Sequence, residues 1–141
     1  MRLLALRITL GIIAAFQLAL GAMFLFAPHF YASAVGLDPA PAWVPWMLAM
    51  FSARALGFAA GLVIAIREPV RHREWIAIMI GVQAIDWIVT VMLIAQGVLT
   101  VAQVSTAAFM PILFIVALAL TFPRRSREKS QTEERVELAS R

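Results

Sequence analysis

Residues 43–95 read WVPWMLAMFSARALGFAAGLVIAIREPVRHREWIAIMIGVQAIDWIVTVMLIA, two apolar runs joined by the charged octapeptide REPVRHRE at 67–74. A helix crosses a hydrocarbon core about 30 Å thick with about 20 apolar residues, and both runs, Trp43 to Ile66 and Trp75 to Ala95, are long enough. Working outward, Leu3 to Ala27 and Gln103 to Phe122 repeat the pattern. The linkers are HFYASAVGLDPAPA at 29–42, where Gly36, Pro39 and Pro41 together with the preceding Pro28 forbid a continuous helix, and the softer break QGVLTVA at 96–102. All connections are short, so neighbouring helices should be antiparallel. The predicted fold is all-α: an integral membrane antiparallel four-helix bundle over residues 1–122, with spans at about 3–27, 43–66, 75–95 and 103–122.

Composition agrees. With 62% hydrophobic residues among 141 and a mean hydropathy of +0.88, the chain is more apolar than ordinary soluble domains. Its net charge of +4 does not point to nucleic acid, because the basic residues flank hydrophobic runs rather than forming a basic face. There is no cysteine, which removes disulfides, thiol nucleophiles and thiolate metal sites.

Eleven of the twelve basic residues fall on one side of this topology: Arg2 and Arg7, then Arg67, Arg71 and Arg73, then Arg124, Arg125, Arg127, Lys129, Arg135 and Arg141. The positive-inside rule places both termini and REPVRHRE in the cytoplasm of a cell whose inner membrane holds the protein. Tyr31, Trp43 and Trp46 suit the outer aromatic belt and Trp75 the inner one. The basic start, the apolar run and Ala32-Ser33-Ala34 mimic a cleavable signal peptide. That run is longer than the usual 7 to 15 residues, however, and an uncleaved first helix is expected. After Pro123 the charged tail, 123–141, is expected to be cytoplasmic and disordered, or a short surface helix whose basic first half lies on anionic headgroups.

The twelfth basic residue, Arg54, lies within the second run, and Asp86 lies within the third. Each is eleven residues from the tryptophan that opens its run, about 16 Å or half the hydrocarbon thickness. A charge there costs about 2.5–3.5 kcal/mol on insertion scales, so an Arg54–Asp86 pair inside the bundle is the simplest arrangement. Gln83, Asp86 and Thr90 share one helix face and Gln17 reaches the same height, which predicts an inward-facing polar layer. Ala49, Ala53, Gly57, Gly61 and Ala65 recur every fourth residue, a ridge for close helix approach with a GxxxG at Gly57 and Gly61. Packing within the chain is favoured there over a second copy. Pro111 should bend the fourth span and free the Ala107 carbonyl as an acceptor.

Other chemistry is thin. His29 and His72 fall on opposite sides and cannot share a metal or haem, and no phosphate loop, zinc motif or serine triad is present. No catalytic residue, metal site or cofactor is assigned. Asp86 is the one deep carboxylate, so either it locks two helices in register with Arg54 or it serves a site.

The runs LFAPHFYASAVGLDPAPAWVPW, SARALGFAAGLVIAIREP and WIAIMIGVQAID resemble small bacterial four-span proteins of the DoxX-like kind, with a proline after the first span, Arg-x-x-Gly in the second and an acidic residue in the third. The resemblance covers most of residues 1–122. It implies the bundle and carries over no catalytic residue.

The functional expectation is a non-enzymatic inner-membrane protein, a partner subunit or a binder of a small lipophilic molecule (lipid or quinone) in the polar-lined bundle centre. Its partners would be the bilayer, that molecule, and a membrane protein or second copy. Two alternatives stay open. One is an enzyme on a lipophilic substrate with Asp86 as acid or base and Arg54 as its electrostatic partner. The other is a small proton-coupled transporter, dimeric through the Gly57 and Gly61 ridge.

Overall fold

The computed structural model describes residues 1–36 and 39–123, and these are helical with short connections: α1 (Arg2–Phe26), α2 (Pro28–Ala34), α3 (Val44–Arg67), α4 (Arg73–Ala95) and α5 (Ser105–Thr121). The tail from residue 124 onward, with its six basic residues and its expected disorder, lies outside the described residues. Three helices, α1, α3 and α4, are long and apolar enough to cross a membrane, at 25, 24 and 23 residues. The fourth apolar run yields only 17 helical residues, about 26 Å. Its expected start at Gln103 is taken by a turn, in which the Thr100 N–H and hydroxyl both donate to the Gln103 side-chain carbonyl at 2.9 Å.

The stretch after α1 holds a helix as well as turns. Ala27 leaves the helical region (φ −138°, ψ 52°) because the residue before a proline is pushed out of it. Pro28 then opens α2 at a first-turn position, where its missing N–H costs nothing. Phe24 and Tyr31 stack edge to face across the corner, 4.8 Å between centroids.

Two arginines tie the helix ends together. Arg2 Nη2 donates to the Leu120 carbonyl at 3.0 Å, and Arg7 Nη2 to the Arg67 carbonyl at 3.2 Å. These carbonyls belong to the last turns of α5 and α3, where unpaired C=O groups and the helix dipole favour a cation. The start of α1 therefore sits beside the ends of α3 and α5, and α4 begins just past α3. Arg2, Arg7, Arg67, Arg71 and Arg73 thus share one end of the molecule, here the basic end.

Packing is uneven along the length. α1 lies mainly on α3, and α4 mainly on α5, while α3 and α4 touch little. In the basic half the two pairs close on a common core in which Leu6, Leu10, Leu62, Ile76, Met79 and Leu118 are fully buried. In the opposite half α1 and α3 stay together: the Ser52 hydroxyl donates to the Gly21 carbonyl at 2.7 Å, and a Cβ on Gly21 would come 2.9 Å from Leu56. α4 buries nothing beyond Gln83. It keeps its hold on α5 through Trp87, whose indole N–H donates to the Ala108 carbonyl at 3.1 Å. That acceptor is the neighbour of Ala107, the carbonyl expected to be freed by Pro111, and Pro111 itself is buried within α5.

Candidate functional site: the Arg54–Asp86 pair

Arg54 and Asp86 meet because each stands thirteen residues from the short connection between α3 and α4, at Arg67 and Arg73, about 20 Å up antiparallel helices. Arg54 Nη2 donates to both carboxylate oxygens, at 2.7 Å to Oδ2 and 3.0 Å to Oδ1. A guanidinium carries five N–H groups, and this geometry uses only those of one terminal nitrogen. The three on Nε and Nη1 make no hydrogen bond to any described residue. The guanidinium carbon also lies 5.4 Å from the centre of the Phe58 ring, one helical turn on, a cation–π contact.

The pair was expected inside the bundle. Instead it bridges the sparsely packed seam between α3 and α4, and its side chains keep 38% and 43% of their surface exposed. Beyond it, on the α3 flank toward the end opposite the basic one, lies an open pocket of ≈ 270 Å³ lined by Trp46, Met47, Met50, Phe51 and Arg54. Arg54 is its one charged wall.

The wider polar layer does not assemble as a network. Thr90 is spoken for by its own helix, its hydroxyl donating to the Asp86 carbonyl at 2.8 Å. Gln83, one turn from Asp86, is buried at 7% exposure and its side chain makes no hydrogen bond among the described residues. Gln17 is half-buried and likewise bonds to none of the other four.

The small-residue ridge of α3 divides in two. At Gly61 an added Cβ would run into the Trp75 indole, which lies on the bare backbone there and edge-on to Phe58, 6.1 Å between centroids. Trp75 is therefore a packing element between α3 and α4, and its Nε1 is buried without a partner among the described residues. At Gly57 nothing among the described residues stands within 4 Å of an added Cβ, and Ala53 is exposed. Half of the motif serves packing within the chain, and the other half faces outward beside Arg54.

Phe58 and the Ser52–Gly21 bond were not singled out from the sequence, and Trp46 was read only as an aromatic-belt residue. Phe58 was legible from its i+4 spacing to Arg54. Ser52, a hydroxyl in an apolar helix whose donor needs an acceptor, was legible too, although its partner was not. Among the described residues no three His, Cys, Asp or Glu side chains gather in a metal-binding group. His29 in α2 and His72 at the start of α4 stand at opposite ends.

The arrangement can hold a molecule by hydrogen bonds from Arg54 while its apolar part lies along α3. Comparison with known families, curated proteins and solved structures finds no match to this chain.

Proposed function

We propose that the chain is a four-span protein of a bacterial inner membrane, α1, α3, α4 and α5 being the spans, with the basic end cytoplasmic, and that it binds a small lipophilic molecule or membrane partner at the Arg54–Asp86 pair without catalysing a reaction. The membrane part is supported by the outward faces. Ile8, Ile12, Leu18, Ile85, Ile88 and Leu113 are among the large apolar side chains more than half exposed, an arrangement that suits lipid and not water. At about 26 Å, α5 is at the short end of spanning lengths, and a modest local thinning of the bilayer accommodates it. A DoxX-like affiliation belongs to the same proposal.

The observation that carries the binding role is the pair's position. An ion pair that served only as a lock would be sealed between the helices it joins. This one is open on the seam, with three guanidinium N–H groups unmet among the described residues, at what is in the proposed membrane a depth where water is scarce. The experiment is purification in mild detergent with mass spectrometry of what copurifies. The reading expects a specific lipophile or partner at near-stoichiometric amounts. A chain that is repeatedly monomeric and empty would end it.

A further inference from the structure

Resting on that reading of the pair as a lipid-accessible binding site, we infer that its ligand is a neutral lipophile ending in a carbonyl-type acceptor oxygen, which sits on Arg54 while the adjoining hydrocarbon lies in the pocket along α3. Three observations carry this, and each removes an alternative.

The first is charge. Arg54 and Asp86 are in direct contact and sum to zero. An anionic headgroup would leave a net negative charge at mid-depth, and a cationic one would bring a second positive charge to the guanidinium. Net charge there is strongly disfavoured, which leaves a neutral group. The second is hydrogen-bonding sense. The N–H groups on Nε and Nη1 have no acceptor among the described residues, and a guanidinium has nothing to offer but donors. The complement is an acceptor oxygen, which an ester or ketone carbonyl provides and a plain hydrocarbon does not. In hydrocarbon each unmet donor is a substantial penalty, so occupancy is favoured by the site's own chemistry.

The third is shape. The open pocket of ≈ 270 Å³ is lined by Trp46, Met47, Met50, Phe51 and Arg54. Small-molecule pockets run from about 300 Å³ upward, so this one takes the head-proximal part of a ligand and leaves the rest in the bilayer. Methionines adapt to irregular hydrocarbon, and the aromatic faces supply rigid apolar walls, a lining suited to a chain of loosely specified form. Because the pocket opens on the flank of α3, entry is lateral, from lipid.

The test uses the full chain in mild detergent and one dibrominated 18-carbon chain presented in three forms: methyl ester, carboxylate at pH 9, and the hydrocarbon without a headgroup. Bromine quenches tryptophan fluorescence on contact, and the difference between wild type and Trp46→Phe isolates the Trp46 contribution. The ester should quench Trp46 saturably, with a half-saturating concentration about tenfold or more below those of the other two, the scale of one hydrogen bond to a charged group. Arg54→Lys keeps a cation for Asp86 but lacks the planar fork. It should raise the ester's value to that of the hydrocarbon. Equal values for all three forms, preference for the carboxylate, or an ester value unmoved by Arg54→Lys would overturn the inference. None of these outcomes bears on the copurification result, so the two readings fail separately.

Discussion

At the residue scale the molecule turns on what surrounds two charges. Arg54 is held by Asp86 on one side and by the Phe58 ring on another. Exposed ion pairs in water contribute about 0–1 kcal/mol, whereas removing one partner of a buried pair costs about 3–5 kcal/mol. In the proposed membrane setting, a partly exposed pair faces lipid and falls between these limits. A double-mutant cycle on Arg54→Ala and Asp86→Ala in lipid nanodiscs should give a coupling of about 1–3 kcal/mol. A coupling indistinguishable from zero would mean that the two residues do not form the contact in the membrane. The existence of the pair was legible in the sequence, because two charges stand at equal counts from one short connection. Its outward position was not. In a lipid solvent the inner and outer faces of a helix are both apolar, so hydrophobic periodicity no longer separates them. The same blindness placed Gln17 in a layer to which it makes no hydrogen bond among the described residues, while Thr90 bonds only to the Asp86 backbone of its own helix.

At the scale of elements, the α3 ridge shows what spacing can and cannot say. The four-residue repeat marked Gly57 and Gly61 as equivalent sites of close approach. Only Gly61 receives a neighbour, because the Trp75 indole needs a side-chain-free surface on which to lie. Substituting alanine at each position should therefore give opposite results. Gly61→Ala forces Trp75 to shift and should lower stability by about 1–3 kcal/mol. Gly57→Ala meets open space and should be neutral or stabilising by up to about 1 kcal/mol, through better helix propensity. Thermal unfolding of the two variants in one detergent checks this, and similar losses at both positions would show that Gly57 too is covered. The proline after α1 was legible as a stop. That the same residue also begins α2 was missed, since proline at a first helical position looks like a break until the following turn is seen.

At the scale of the whole molecule, α1 with α3 and α4 with α5 form two pairs that share a core in the basic half and separate along the α3–α4 seam beyond it. The three long apolar helices and their order were legible because apolar length and basic flanks are encoded locally. The uneven closure was not, because it depends on which helix meets which. The absence of cysteine gives a clean background for testing topology. In intact spheroplasts, a membrane-impermeant maleimide should label Ala42→Cys and spare Arg71→Cys until the cells are lysed. Labelling in the reverse order would invert the proposed orientation.

The central claim is that the open pair is a binding site and not solely a helix lock, and the most direct measurement compares wild type with Arg54→Ala after identical mild purification, by native mass spectrometry. The account predicts a bound lipophile on the wild type and at least about tenfold less of it on an Arg54→Ala variant that is still folded. A folded variant carrying the same lipophile in the same amount would contradict it.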